Sequence, residues 1–308
     1  MALRSTGAIS MADINLELSK AAAAVISLND SNARTLAAIA SGAISLASFY
    51  GKSSAITIAV VSNVQNLNIK SAAIAAGWNG TSPITVNVTV NSGVIVSSAS
   101  TGSPAVTTDT GWPAGCVINL TNNGIICGKG GNGGVGNTTW AVTESMNGTA
   151  GGVAISALQA IVITNNNIIG GGGGGGGGGD VNNDGGGCCG GQAGNPGSGG
   201  AGFGIGATSE QWSGPSPVTA PSGTATSGGA AYQSNINGGC CCTVNYGGAG
   251  GAGGGLGAAG SSGSPGYDNC IGTHLVSGVG SGGAAGACTQ GNANITWVAP
   301  GNRYGALN

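Results

Sequence analysis

The feature that most constrains this chain is a run of ten consecutive glycines, Gly170–Gly179, inside "IIGGGGGGGGGGDVNNDGGGCC". Glycine tracts behave by default as flexible linkers. Ordering each glycine costs roughly 0.5–1 kcal/mol more than ordering an alanine, so about 5–10 kcal/mol over the run. An isolated strand cannot recover that. A bundle can, if each segment exchanges backbone N–H and C=O groups with several neighbours.

The rest of the chain supplies those neighbours. In "GGAGGAGGGLGAAGSSGSPG", glycine falls at 248, 251, 254, 257, 260, 263 and 266 without a break. Shorter three-residue series occur at 128, 131 and 134, at 191, 194, 197 and 200, and at 280, 283 and 286. A polyproline-II helix has three residues per turn, so glycine at every third place keeps one face clear of side chains. Collagen shares the period but needs abundant proline, and here proline is 9 of 308 residues. The expectation is an ordered bundle of polyglycine-II helices, the ten-glycine run making a rod of roughly 31 Å.

A second regularity sits at a spacing of 43. "LTNNGIICGKGG" (120–131) aligns with "ITNNNIIGGGGG" (163–174), each an apolar–Thr–Asn–Asn–x–Ile–Ile unit that runs into glycine. Upstream, from Ala55 to about Thr108, β-branched stretches such as "AITIAVV", "LNIKSAAI", "ITVNVTV" and "GVIVSSAS" predict short strands. The first 53 residues differ again. They hold four of the seven basic residues and two helix signals: Ser10 with Asp13 three places on, and Asp30 before an alanine-rich stretch that Gly42 is placed to stop. "GAISMADI" (7–14) is echoed by "GAISLASF" (42–49). Helices so short and so poor in bulky side chains need something to dock on.

Composition excludes several functions. Charged residues are 5% and the net charge is −2, with no basic patch for nucleic acid. The stretch "AAAAVISL" (21–28) is too short to span a bilayer, and the N-terminus shows no apolar secretory segment, so synthesis in a cytosol without export by that route is expected. One histidine and scattered acids make no catalytic constellation, and no cofactor motif is present. The nine cysteines (116, 127, 188, 189, 240, 241, 242, 270 and 288) lack metal-ligand spacing, and buried thiols and disulfides both remain open readings. "DVNNDG" matches the start of a calcium loop through Asp180, Asn182 and Asp184, but Gly191 stands where the bidentate Glu is needed, so an Asn/Asp turn that caps the glycine rod is the competing reading. Aromatics set between glycine segments are candidate binding anchors: Trp140, Trp212, Tyr232, Tyr246 and Tyr267, joined by the lone His274. The competing reading is that they cap the ends of the bundle.

Three stretches carry a family resemblance. Residues 2–53 resemble a segment shared by tailed-bacteriophage tail and baseplate-associated proteins. "WPAGCVINLTNNGIICGKGGNGG" (112–134) and "VITNNNIIGGGGGGGGG" (162–178) are similar to the glycine-rich units of phage tail-tip and fibre proteins, as is the ending "ITWVAPGNRYGALN" (295–308). The glycine architecture further resembles the adhesins at the tips of T-even-type fibres.

The resemblance implies a mainly β and irregular fold. A small helical attachment segment (1–54) precedes a short-strand β region (55–118) and a polyglycine-II bundle with exposed loops (119–308). It implies a non-enzymatic structural component of a virion tail, attached through residues 1–54 to other phage tail or baseplate proteins, with a homotrimer among the expectations. Loops over 137–150, 205–246 and 267–276 would meet a bacterial surface receptor, a glycan or an outer-membrane protein. A fibre-base or baseplate protein without receptor contact, or a secreted glycine-rich structural or ice-binding protein, are the alternatives.

Overall fold

A computed structural model describes all residues except 1–2, 5, 19, 53–54, 79, 81–83, 138–145, 182–192, 210–216, 234–244 and 269–277. Its first unit is helical. α1 (Met11–Glu17) carries a two-way capping box: Ser10 Oγ accepts from Asp13 N–H, and the Asp13 carboxylate accepts from the Ser10 backbone. That backbone bond holds the Asp13 carboxyl below its ordinary range. α2 (Ser31–Ala37) follows Asp30, and a short 3-10 helix spans Leu46–Phe49. The sequence places the stop of α2 at Gly42; it falls earlier, where Ala38 adopts φ 59°. Ile14, Leu36 and Phe49 close a small core to which, among the described residues, none after Phe49 contributes.

From Ala55 the chain winds into coils of parallel strands. The first coil holds β1 (Ala55–Val60), β2 (Val64–Gln65) and β3 (Leu67–Asn68), and the second β4 (Thr85–Val90), β5 (Ile95–Ser97) and β6 (Val106–Thr107). β7 (Val117–Asn122), β8 (Ile125–Cys127) and β9 (Ile155–Ser156) make the third. The fourth begins with β10 (Ile161–Asn165) and β11 (Ile168–Gly170). It then leaves on a long excursion that includes the two-residue strands β12 (Thr208–Ser209), β13 (Val218–Thr219), β14 (Asn245–Tyr246) and β15 (Tyr267–Asp268), and closes with β16 (Thr289–Gln290). β17 (Ile295–Ala299) and β18 (Asn302–Tyr304) belong to the last coil.

Corresponding strands stack into three parallel sheets, in the orders β1-β4-β7-β10-β17, β2-β5-β8-β11-β18 and β3-β6-β9-β16. The result is a three-faced solenoid whose strands come from both sides of residue 118. The repeat of 43 is one such stacking: Leu120 pairs with Ile163, Asn122 with Asn165, Ile126 with Ile169 and Cys127 with Gly170.

Alternation explains the core. In β4, Val86, Val88 and Val90 point inward, and Ile118 and Leu120 of β7 and Ile161 and Ile163 of β10 continue the same columns. Residues from all three faces share this interior. Trp78 stacks on Trp112 with ring centroids 4.8 Å apart, and Trp112 Nε1 donates to Thr108 O at 2.7 Å. One expected strand is a helix instead. "LNIKSAAI" pairs only at Leu67–Asn68, after which Asn68 accepts from Ser71 N–H and caps α3 (Ile69–Ala75). The alternation of β-branched residues there yields to a cap and to alanine.

The glycine segments leave the solenoid between the second and third strands of the third and fourth coils. The run from Gly170 is surrounded. Gly172, Gly175 and Gly178 donate to Gly152, Thr149 and Met146; Gly173, Gly176 and Gly179 donate to Ala201, Ser198 and Asn195; Gly174, Gly177 and Asp180 donate to Ala258, Ser261 and Ser264. These bonds measure 2.7–3.0 Å. In return the run accepts from Gly131, Gly134 and Asn137, from Gly248, Gly251 and Gly254, and from Gly280, Gly283 and Gly286. Hydrogen-bond partners therefore repeat every third residue, with three segments receiving and three giving. Each bond is worth about 1 kcal/mol net, similar in size to the ordering cost of a glycine. None of these ten glycines has a positive φ. Close approach is what requires them: a Cβ on Gly175 would lie against Asn132 O, and one on Gly176 against Gly251 O.

Candidate functional site

The rods meet the solenoid at one end and finish together at the other. At the far end Asp180 is fully buried. Its Oδ1 accepts from Asn137 Nδ2 at 3.0 Å and from Val181 N–H at 2.8 Å, and Oδ2 accepts from Gly278 N–H at 3.3 Å. Its backbone N–H donates to Ser264 O and its C=O accepts from Gly248 N–H. Asn195 adds a side-chain bond to Gly248 O at 3.0 Å, and Gly194 N–H one to Asn137 O at 2.7 Å. One carboxylate thus ties together the ends of several rods. Asn137 and Asp180 are themselves 43 apart, so the repeat seen over 120–131 and 163–174 runs on to this pair. That extension was available in the sequence and is the signal that finds Asn137.

The described residues on either side of 138–145, 182–192, 234–244 and 269–277, and before 210–216, lie at this same end. Asn137 and Met146 flank 138–145; Asp180, Val181 and Ala193 flank 182–192; Gln233 and Asn245 flank 234–244; Asp268 and Gly278 flank 269–277. Ser209, whose Oγ accepts from Gly136 N–H at 2.7 Å, precedes 210–216.

Of the aromatic candidates, three fall on described residues. Tyr246 and Tyr267 are direct cross-strand partners in the β14–β15 pair, beside Asn245 opposite Asp268. Tyr232 is bridged to Gly250 in both directions, at 3.3 and 2.9 Å, four residues along from Tyr246. Tyr232 and Tyr267 are half-buried. The structure therefore brings Tyr232, Tyr246, Tyr267 and Asp180 to one end of the bundle. Trp140, Trp212, His274, Asn182 and Asp184 lie outside the described residues.

Three cysteines are described, and all are free thiols remote from this end. Burial pushes the Cys127 thiol up to about 12 and that of Cys288 to about 11. Among the described residues no group of three or more His, Cys, Asp or Glu side chains is placed to hold a metal ion.

With this geometry in hand, the comparisons decide the family. The model of the phage tail fibre adhesin Gp38 family matches residues 55–308. The chain belongs to that family. It is accordingly a structural component of a phage tail that serves attachment to the host. The matched region begins with β1 and takes in the whole solenoid and the rods. A crystal structure of the gp37–gp38 adhesin tip complex of the bacteriophage S16 long tail fibre shares the fold, with a TM-score of 0.52 and 24% identity over 90% of this chain and 91% of that one. Among curated proteins, no sequence matches the chain.

Proposed function

We propose that this adhesin contacts the host receptor through the segments at the Asp180 end, on a polyglycine-II scaffold, and joins the tail through residues 1–54. It works by binding and not by catalysis. The observation that carries the reading is the convergence just described: flanks of separate segments are hydrogen-bonded into one end. A receptor site needs rigid support and a few anchors. Rods joined backbone to backbone supply the support, and Trp140, Trp212, Tyr232, Tyr246, Tyr267 and His274 are the candidate anchors. The receptor is a glycan or an outer-membrane protein. Asp180 serves this site as a tether, its carboxylate already engaged by three N–H donors. The similar S16 tip is a complex of gp37 with gp38, which supports a fibre protein as the partner of the attachment unit.

The test is adsorption of phage carrying Trp212→Ala together with Tyr232→Ala, with incorporation measured on the same particles. Loss of a hot spot should cost about thirtyfold in affinity. Normal adsorption at normal incorporation overturns the reading and leaves a structural fibre protein.

A further inference from the structure

Phe203 stands where the backbone asks for a glycine. In the turn Ala201-Gly202-Phe203, φ is 86° at Gly202 and 64° at Phe203. Among the described residues three other non-glycines take a positive φ, Ala38, Asn66 and Asp109, and none of them carries an aromatic ring. A bulky side chain in this region is an outlier, and such strain concentrates at functional surfaces. The exposure is as unusual as the backbone. Of the two phenylalanines in the chain, Phe49 is fully buried, whereas Phe203 is 40% exposed and the nearby Ile205 57%. Glycine would relieve the strain and leave no ring in water, so folding alone does not call for Phe203.

Polar groups border this turn. Gly202 and Phe203 N–H both donate to Thr224 O, at 2.8 and 3.1 Å, and Lys129 Nζ donates to Phe203 O at 2.7 Å. Ile205 N–H donates to Asn132 Oδ1 at 3.1 Å. Asn132 and Thr224 are exposed. The ring is therefore neighboured by an ammonium, a carboxamide and a hydroxyl, each with hydrogen-bonding capacity to spare. Lys129 is also the only lysine or arginine between Lys70 and Arg303, and a carbonyl, not a carboxylate, engages it. Its charge is left for an anion from outside. One ammonium balances one carboxylate, whereas a phosphate dianion is better met by two cations.

We propose that this flank of the rods binds a sugar acid of a cell-surface glycan. The C–H face of the sugar ring stacks on Phe203, its carboxylate meets Lys129, and its hydroxyls bond Asn132 Nδ2 and Thr224 Oγ1. The site goes beyond receptor contact at the Asp180 end and does not rest on it. Lys129 follows β8, where Gly128 N–H donates to Gly170 O, while Asn137 N–H donates to Gly179 O at the far end, roughly 28 Å along the rod. Two contacts on one rigid body act as linked sites, so even a weak hold on a glycan slows escape while the far end meets its receptor.

The experiment titrates the full-length chain with the methyl glycosides of glucuronic, galacturonic and N-acetylneuraminic acid, with methyl glucoside and glucose 6-phosphate alongside, followed by saturation-transfer NMR. A sugar acid should bind about tenfold or more tighter than methyl glucoside. Phe203→Gly suits the positive φ, so it should melt with the wild type yet lose about tenfold or more in affinity, whereas Phe203→Tyr should keep it. Lys129→Gln can still donate to Phe203 O; it should lose a similar factor for the sugar acid and none for methyl glucoside. Circular dichroism of each variant checks folding. Binding by none of the sugar acids, equal binding of methyl glucoside, tighter binding of glucose 6-phosphate, or full affinity in Phe203→Gly or Lys129→Gln overturns the site.

Discussion

Asn122 and Asn165 stand one above the other in successive coils, Asn122 Nδ2 donating to Asn165 Oδ1 at 2.9 Å. Both are buried, at the place where the inward column of Val90 would otherwise continue. Asn165 Nδ2 passes the chain of bonds on to Pro300 O at 2.9 Å, which joins the last coil to the stack. Replacing Asn165 with Leu takes one acceptor from the buried Asn122 amide, which keeps its bond to Ile168 O, and removes the donor to the carbonyls of Pro300 and Asn302. A loss of about 3 kcal/mol is expected, read as a lower midpoint in chemical denaturation. Leu at the exposed Asn166 should cost far less.

The glycines are not equivalent. Gly175→Ala puts a methyl against Asn132 O and should destabilise by several kcal/mol, as overpacking does. Gly254→Val should do the same against Ala258 O, and Gly257→Val against Gly305 N–H, with a positive φ added. Gly255 has open space where its Cβ would sit, so Gly255→Ala should melt with the wild type. Thermal unfolding of these four variants checks the ranking.

Cys127 and Cys288 should resist alkylation at pH 8 while the chain is folded, since burial raises both thiols above the ordinary 9.0. Of the three described thiols, the half-buried Cys116 should react first. The sign for stability follows: below pH 9 both states hold the protons and nothing changes. Above it the unfolded chain ionises while the folded one does not, so stability falls as pH rises from about 9 towards 11–12. Iodoacetamide labelling with peptide mapping, and unfolding followed between pH 8 and 11, test the two statements.

Removing residues 1–54 should leave the solenoid and rods folded, because no described residue of that segment contributes to the solenoid core. The shortened chain should be absent from purified virions. Its presence at normal copy number would refute attachment through this unit.

How much of this was legible depends on what the residues advertise. The unit around Leu120 and that around Ile163 repeat because they stack on each other in the same register, so one coil could be read from the other. The three-residue glycine spacing reappears as a three-residue hydrogen-bond spacing. Which rod neighbours which was hidden, since a glycine has no side chain with which to name its partner. The last coil was hidden for another reason: Trp297 pairs with Ile163, far away in the chain, across the whole glycine excursion. In α3, Ile69 and Ile74 imitated a strand pattern until Asn68 capped a helix. At the candidate site the aromatics stand out singly in the sequence, but nothing local shows that Tyr246 and Tyr267 are register partners across two strands.

The central rod is covalently continuous with β11 and is bonded sideways along its length. On the proposed function, a bacterium held at the Asp180 end and a virion behind the solenoid would pull along that axis. Such a load crosses the rows of N–H···O=C bonds in shear, so many must break together instead of one after another. The chain between β11 and Asp180 is also already extended and has little slack to pay out. The glycine insertion is then a short cable spliced into the solenoid, suited to staying taut while a tethered particle is buffeted.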